Sequence, residues 1–380
     1  MIQFVENIQE SRLRMAYNND VLRFFSTNNI APKSCEVRAV DAFTAVLYPD
    51  PGGAFYFNFK SFVTALINNS NFADTMEMSG LIRDDPNSYI YPAPDMSLQL
   101  NVTFEITFVD NTVENVTFFL TYIAGVSQSG DYKTLSTEQS YVLTPFKTDT
   151  LDRFYLKYWQ GYPFDIPFYS AAEEITLRND TNLLSQQFDL NDSTFRLILS
   201  DGDDDETLEN LLPLIDGFNS IRIIDQYEDT VNDKFILLEK MPYKCGVYIK
   251  WINAMGGYNY WLFENTAAID RTTRAIGEIE NDFGNYFDTN NRVLQIGKDS
   301  QDTVKVIAET LTENETLIVS GITDSPKIYM FTGAPFSRNV YRDWVEITLK
   351  STNMRIKNYK EKLNNVAFDF ELPQRYTQRL

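Results

Sequence analysis

Alternation of apolar and polar positions is the clearest pattern in the chain, and it is most regular from Leu98 to Phe108. Apolar side chains occupy every second position there, and polar residues fill the positions between them. A strand with this pattern buries one face and leaves the other in water, which is typical of an antiparallel sheet. Shorter apolar runs recur at a spacing of about ten residues, separated by turn residues. We therefore expect a mainly β fold of antiparallel sandwich or barrel-like domains with a few short helices.

The most aromatic stretch, Cys245–Glu264, has the pattern of a β-hairpin. Apolar runs at Val247–Ile252 and Tyr258–Phe263 flank a turn that contains Gly256 and Gly257. Glycine supplies the positive φ that tight hairpin turns require. The pattern predicts that this hairpin gathers a large aromatic surface in one place.

Two hypotheses explain the rings of Trp251, Trp261 and Tyr258 in this hairpin. In the first, the rings belong to a hydrophobic core, where large aromatic residues are commonly found. In the second, they are exposed platforms that stack against sugar rings in a carbohydrate-binding β-sandwich. The solvent exposure of the rings distinguishes the two hypotheses.

Two segments have the spacing of short amphipathic helices. The first begins at the candidate N-cap Asn58, and the second begins at the candidate N-cap Asp302. Their predicted apolar faces consist of Phe59, Phe62, Val63, Leu66 and Ile67, and of Val304, Ile307, Ala308 and Leu311. After the second helix, we expect Leu317–Val319 to be a strand.

Composition divides the chain of 380 residues into three parts. Residues 1–30 are polar with scattered apolar positions, which predicts an N-terminal arm. The strand-like patterns of residues 31–200 predict a first β-rich domain. Residues 201–380 predict a second β-rich domain that contains the second helix and ends in a β-hairpin of Val345–Leu349 with Asn364–Leu372. This length is sufficient for two or three domains with proper cores.

The densest acidic run, Asp201–Glu206, marks the expected boundary between the two domains. Carboxylates are suitable calcium ligands, but these adjacent acids lack the alternate spacing and the distant glutamate of an EF-hand loop. We therefore expect a solvated surface loop without a tight divalent-cation site.

Charge restricts the class of partner. The formal net charge is -20, with 53 acidic and 33 basic residues. Such a chain repels phosphate backbones and anionic lipid surfaces, so we expect neither specific nucleic-acid binding nor membrane binding.

The residues that carry common enzyme chemistry are missing or isolated. Histidine is absent, which removes the most frequent general base and the usual catalytic triads. Cys35 and Cys245 have no metal-site spacing, and we expect two free, buried thiols in a reducing cytoplasm. The acidic pairs Glu173 with Glu174 and Asp203 with Glu206 are interpreted as solvated charges, since a catalytic acid needs a site that perturbs its pKa. The sequence thus predicts no catalytic, cofactor-binding or metal-binding residues, and no enzyme.

Several segments together carry a resemblance to a known class of protein. They are Phe154–Ile166 with its Gly-Tyr-Pro, Gly246–Asn253 with Gly256–Trp261, Ser325–Tyr329, and Trp344–Thr348 with Phe368–Pro373. In this order they resemble structural tail or neck proteins of tailed phages that infect Bacteroidetes, crAss-like phages included. The resemblance covers about the last two thirds of the chain, and the first ~150 residues add nothing to it.

The resemblance implies a non-enzymatic virion component that is made in the host cytoplasm. Proteins of this class form rings of identical copies, so the implied partners are further copies of the chain and other tail or neck proteins. It also implies a passage for DNA, and an acidic wall would not hold DNA because the charges have the same sign.

Overall fold

About 52% of the chain is strand and about 10% is helix, so the predicted mainly β fold is confirmed. Most of the sheets are antiparallel, as the alternating patterns predicted. The computed structural model describes residues 1–74, 76–77, 80–130, 134–145, 152–203, 207–225, 234–264, 267–280, 283, 286–287, 291–350, 354 and 363–379.

The first third of the chain forms two sheets and one helix, and it supplies one strand to a third sheet. Its elements are β1 Ile2–Phe4, β2 Arg12–Met15, β3 Val21–Ser26, β4 Pro32–Ala39, β5 Phe43–Leu47, β6 Ala54–Asn58, α1 Lys60–Ile67, β7 Ile90–Pro92, β8 Ser97–Phe108, β9 Val113–Ile123 and β10 Leu135–Ser136. Two short 3-10 helices flank β7 at Pro86–Tyr89 and Pro94–Met96.

A hydrophobic core lies between these two sheets. The smaller sheet has the order β1-β3-β6, and the larger has the order β10-β2-β9-β8-β4-β5. The alternation at Leu98–Phe108 places Val102, Phe104 and Ile106 in this core with no exposed surface. Helix α1 covers one end of the core through Val63 and Ile67.

The remainder of the chain contributes fifteen further strands among the described residues. They are β11 Tyr141–Val142, β12 Arg153–Trp159, β13 Pro163–Tyr169, β14 Glu174–Asn179, β15 Leu184–Asp189, β16 Thr194–Asp201, β17 Gly217–Asp225, β18 Lys234–Met241, β19 Val247–Ile252, β20 Tyr258–Phe263, β21 Ala267–Glu280, β22 Val293–Leu311, β23 Ile328–Phe331, β24 Trp344–Leu349 and β25 Asn364–Glu371. Helix α2 spans Glu313–Ser320, and 3-10 turns lie at Leu208–Asn210, Gly321–Asp324 and Tyr341–Asp343.

Together with β7, these strands form three more sheets around a second, larger core. Their orders are β11-β13-β16-β7, β12-β18-β17-β14-β15 and β20-β19-β23-β24-β25-β22-β21. Strands β12 and β18 are parallel, and the remaining pairs in these sheets are antiparallel. One continuous cluster of buried side chains joins all three sheets.

The predicted division at Asp201–Glu206 does not coincide with a gap between hydrophobic cores. Strand β12, which precedes this run, pairs along its whole length with β18, which follows it. Buried residues from both sides of the run, such as Phe164 and Trp251, belong to the same cluster.

Residues 1–30 are part of the first body and do not form a separate arm. Strands β1 and β3 pair with each other, and β2 pairs in parallel with β9. Phe24 is fully buried between the two sheets. The scattered apolar positions are therefore short strands, each too brief to show a period in sequence.

The helix predicted from Asp302 to Leu311 is wrong. This segment is the end of β22, which pairs with β21 on one side and with β25 on the other. Val304 lies opposite Phe370, and Val306 lies opposite Phe368. Pairing on both edges, together with the β-branched residues of the segment, favours strand over helix.

The strand predicted at Leu317–Val319 is also wrong, because this segment belongs to α2. The helix begins with a capping box in which Thr312 Oγ1 accepts from the Glu315 backbone N–H at 3.4 Å. In return, Glu315 Oε2 accepts from the Thr312 backbone N–H at 2.8 Å. The Thr-Glu-Asn-Glu sequence carries this signal.

Candidate assembly surface and buried ionic centre

The aromatic hairpin forms as predicted. Strands β19 and β20 pair from Val247 opposite Phe263 to Ile252 opposite Tyr258. Gly256 has a φ of 86°, and a Cβ at that position would lie 2.6 Å from the Ala124 carbonyl oxygen. Both conformation and space therefore require glycine at this turn.

The rings of the hairpin are buried in the larger core. The exposed fractions are 0% for Trp251, 4% for Trp261 and 8% for Tyr258. A sugar ring stacks only on an aromatic face that solvent can reach. These three rings therefore do not supply the exposed platforms that the carbohydrate hypothesis requires.

A buried ionic centre lies beside the hairpin. Arg196 on β16 donates to Asp165 on β13 through Nε at 2.8 Å and Nη2 at 2.6 Å. Its Nη1 donates to Asp74 at 2.8 Å, and its guanidinium lies 4.4 Å from the centroid of the Tyr258 ring. Tyr260 on β20 donates its hydroxyl proton to Asp165. Every donor of Arg196 named here thus has a buried acceptor.

Lys250 on β19 completes the centre. Its Nζ lies 2.6 Å from Asp74 and 4.2 Å from the centroid of the Trp344 ring. Burial lowers the pKa of Lys250, and Asp74 opposes that shift. Burial alone would raise the pKa of Asp74, but Arg196 and Lys250 hold it well below its usual range. The carboxylate is therefore ionised and bound by two cations.

The position of Asp74 gives the centre a structural role. Asp74 follows α1, which packs on the first core, whereas Arg196 and Lys250 lie on strands of the second core. The ion pairs of Asp74 therefore join the segment after α1 to strands β16 and β19. Sequence reasoning missed this centre, although a charged residue within the apolar runs Phe195–Leu199 and Val247–Ile252 is a usable signal.

The first residue of the acidic run, Asp201, does not lie in a solvated surface loop as predicted. The Asp201 side chain is buried and accepts from Arg338 Nε at 3.2 Å, and Asn339 donates to the Asp201 carbonyl. Burial raises the pKa of the Asp201 carboxyl group. Residues 204–206 lie outside the described residues, so the expected absence of a tight divalent site stays a prediction.

The two candidate carboxylate pairs are not brought together as a buried acid and base. Glu173 and Glu174 are both exposed, as expected for solvated charges. Asp203 is half-buried, and its predicted partner Glu206 lies outside the described residues. Among the described residues, no group of three or more His, Cys, Asp and Glu side chains is arranged to hold a metal ion.

The two cysteines are free, but only one of them is buried as predicted. Cys35 lies in the first core, whereas Cys245 is exposed and sits 3.1 Å from the Tyr243 hydroxyl. Cys245 is exposed because it precedes β19, outside the paired hairpin.

We expect the two thiols to differ strongly in reactivity. Burial raises the pKa of Cys35 to about 12, so its reactive thiolate is scarce at pH 8. Titration of the native chain with a disulfide reagent at pH 8 should therefore modify Cys245 quickly and Cys35 only after denaturant is added. Rapid release of two equivalents from the native chain would contradict this assignment.

A long hairpin formed by β21 and β22 extends beyond the sheet that carries it. Strand β25 pairs with β22 only from Thr303 to Leu311. Beyond that point, Arg271–Glu280 and Val293–Asp302 pair with each other over about 30 Å. We call these two ranges and the residues between them the projecting hairpin. The side chains of residues 268–280 on β21 are almost all exposed, so no described part of the chain forms a layer over either face of this strand.

The C-terminal segment braces the projecting hairpin along the other edge of β22. The Leu372 N–H donates to the Asp302 carbonyl at 3.0 Å, and a β-bridge joins Gly297 to Arg379. Asp302 also accepts from Arg271 Nε at 2.6 Å and from Arg375 Nη1 at 3.0 Å. These contacts hold the base of the hairpin in a fixed direction.

Large apolar side chains are concentrated at the far end of the projecting hairpin. Ile279 and Leu294 lie opposite each other in the register, and both are exposed. Phe283, Tyr286 and Phe287, between the two strands, are 94%, 89% and 88% exposed. We call these five residues the tip patch. A concentration of exposed rings of this kind is typical of surfaces that bind another molecule.

Comparisons with known proteins do not identify a family. No family model and no curated protein matches the chain. One similar solved structure is that of the fibronectin(III)-like modules of CbhA from Clostridium thermocellum. It has 6% identity and a TM-score of 0.19, over 63% of this chain and 95% of that one. Another is native alpha-2-macroglobulin of E. coli, at 8% identity and a TM-score of 0.19, over 81% of this chain and 22% of that one.

Proposed function

We propose that the chain is a non-enzymatic structural component of a tailed-phage virion. In this proposal it forms a homo-oligomeric ring in the tail or neck, and DNA passes through that ring. Its partners are further copies of itself and neighbouring tail or neck proteins.

The observation that carries the proposal is the projecting hairpin. A segment that extends about 30 Å from its sheet and ends in exposed aromatic rings is suited to contact with a neighbouring subunit. A ring subunit needs such a surface on one side and a surface that receives it on the other, because cyclic assemblies with more than two copies use head-to-tail contacts.

The segments that resemble tail and neck proteins support the proposal by their position. Phe154, Trp251, Tyr329 and Phe368 come from separate segments and belong to one buried cluster. The resemblance therefore follows the strands that build the larger core, which is the part of a structural protein that its fold constrains most.

Purified particles of the phage that encodes this chain provide the test. We expect mass spectrometry to find the chain at a fixed stoichiometry, and cryo-electron microscopy to place it as a closed ring around the DNA path. Absence of the chain from particles, or a ring lumen lined by basic residues of this chain, would overturn the proposal.

A further inference from the structure

We propose that the C-terminal segment, residues 372–379, is an exchangeable strand that pairs with strand β22 of a neighbouring copy of this chain. The inference rests on the proposed function only in taking the neighbour to be a second copy. It names the strand and the sheet edge that meet between copies, which the proposed function leaves open.

Backbone contacts place the C-terminal segment along the edge of β22 that β25 leaves free beyond Thr303. The Arg375 N–H donates to the Ser300 carbonyl at 3.3 Å, and a β-bridge joins Arg379 to Gly297. A Cβ on Gly297 would lie 3.0 Å from Arg379 Cγ and 3.5 Å from Arg379 Cα. Glycine inside a strand often marks such a close approach of a second backbone, so this edge is shaped to receive a strand.

Little apolar burial holds the C-terminal segment in place. Leu372 packs against the larger core, whereas the side chains of residues 373–379 are all exposed except that of Thr377, which is half-buried. Burial of apolar surface is the dominant favourable term in folding, and segments that have little of it open locally at low free energy. The segment can therefore leave β22 while both cores remain folded.

Charge specifies which strand this edge accepts. Arg375 Nη1 lies 3.0 Å from Asp302 Oδ2, and Arg379 Nη2 lies 3.3 Å from Asp299 Oδ1. The hydrogen bond from Arg271 lowers the pKa of the Asp302 carboxyl group, so this carboxylate stays ionised when the segment leaves. The open edge therefore presents two carboxylates to a strand that carries two arginines four positions apart.

The same charges favour a second copy as the source of the strand. Residues 372–380 contain two arginines and no acidic residue, which leaves 31 basic and 53 acidic residues in the rest of the chain. A basic segment is attracted to the acidic body of any copy, so charge steers it toward a neighbour as well as toward its own chain. Exchange re-forms each contact that it breaks, which makes swapping of an identical element a low-cost route to association. An assembly brings the neighbour's segment to a high effective concentration, as the tether does for the chain's own segment.

Binding of a synthetic segment to the unaltered full chain tests whether the edge accepts a strand from outside. A fluorescein-labelled peptide of residues 372–380 is titrated with the chain, and fluorescence anisotropy is measured. We expect saturable binding that weakens at least about tenfold when the peptide carries Arg375→Glu and Arg379→Glu, because two ion pairs become repulsions (a tenfold change corresponds to about 1.4 kcal/mol). A peptide of the same composition in scrambled order carries the same charge, and this matched control should give no saturable binding.

Charge reversal on two copies tests exchange between them. One variant carries Arg375→Glu and Arg379→Glu, and the other, the edge variant, carries Asp299→Lys and Asp302→Lys. Neither variant can pair its own segment with its own edge, but a mixture restores both pairings across two copies. We expect sedimentation velocity to give the mixture an association constant at least about tenfold above that of either variant alone.

A matched control mixture separates this pairing from general attraction between charges. It combines the edge variant with Arg23→Glu and Arg38→Glu, which reverses two arginines of the first body that are 62% and 51% exposed. The control mixture has the same net charge and should associate no more than the edge variant alone. Circular dichroism checks that each variant folds, and the peptide titration decides the inference where one does not, because it uses the unaltered chain.

The outcomes separate this inference from the proposed function. No saturable peptide binding, equal binding of the scrambled peptide, or a mixture of folded variants that associates no more than its control would each overturn the inference. A ring in particles in which every copy keeps its own C-terminal segment would overturn the inference and leave the proposed function standing. Exchange between copies of a chain that is absent from particles would do the reverse.

Discussion

Replacing Trp251 with alanine is expected to lower the free energy of unfolding by about 3–5 kcal/mol. The Trp251 side chain has no exposed surface, and its strand β19 is paired on both edges. Its ring packs so closely that a Cβ on Gly321 would lie 3.0 Å from the indole Nε1. That Nε1 has no hydrogen-bond partner among the described residues, so the substitution removes packed volume without removing a hydrogen bond.

Urea unfolding monitored by circular dichroism provides the measurement for Trp251→Ala. Phe287→Ala is the matched control, because it also truncates an aromatic ring but at a position that is 88% exposed. We expect the control to change the free energy of unfolding by less than about 0.5 kcal/mol. Equal unfolding midpoints for Trp251→Ala and the parent chain would show that the ring does not support the core.

Strands with one buried and one solvent-exposed face were predictable from the sequence. Strand β8 carries the period of two expected at Leu98–Phe108, and its apolar positions from Leu100 onward are buried. One-sided burial imposes this period, because successive side chains on a strand point to opposite faces. The hairpin of β19 and β20 was predictable as well, since the glycines of its turn are a local signal.

Elements defined by distant contacts were not predictable in the same way. The end of β22 has apolar residues at positions that also fit a helical face, and its pairing with β25 decides the conformation. The signal for α2 was local, as Thr312 and Glu315 form the capping box, but the apolar run Leu317–Val319 suggests a strand equally well.

The projecting hairpin was largely missed because its pattern is weak. Its β21 side chains are exposed on both faces, so no alternation marks this strand. Residues such as Thr272, Thr273 and Arg274 are compatible with a loop. Only Arg292–Ile296 on the return strand was predicted as a strand, and β22 begins there at Val293.

The buried ionic centre was missed because the apolar pattern around its residues is strong and hides the charged positions. Strands β13 and β16 are buried on both faces, so their sequences are nearly continuous apolar runs. A charge inside such a run has to find a partner of opposite sign, because an unpaired buried charge is costly. The sequence therefore predicts that Arg196 has a buried partner, but it does not identify Asp165 or Asp74.

Removal of one charged side chain from the buried ionic centre should lower the free energy of unfolding as much as removal of a core ring does. Arg196→Met keeps most of the apolar volume of the side chain but leaves Asp165 without the cation that lies 2.6 Å away. The Asp165 side chain has no exposed surface, so water cannot replace the lost partner. Breaking a buried pair on one side typically costs about 3–5 kcal/mol, and we expect a loss of that size in the free energy of unfolding.

The matched control is Arg222→Met, which removes an arginine from the neighbouring sheet. Arg222 Nη2 lies 3.1 Å from Asp180, but its side chain is 33% exposed. Ion pairs near the surface contribute about 0–1 kcal/mol, so this variant should lose little stability. A second comparison adds Asp165→Asn to Arg196→Met, which removes the unpaired charge and should recover part of the loss.

The stability that Asp165→Asn restores to the Arg196→Met variant is the decisive part of this prediction. If the cost of Arg196→Met came from lost packing alone, Asp165→Asn would add its own cost, and the two effects would sum. If the cost is an unpaired buried carboxylate, the double variant should be more stable than Arg196→Met, as measured by urea unfolding at pH 7. A double variant that is less stable than Arg196→Met, or an Arg196→Met variant as stable as Arg222→Met, would contradict the view that an unpaired buried Asp165 carboxylate causes the loss of stability.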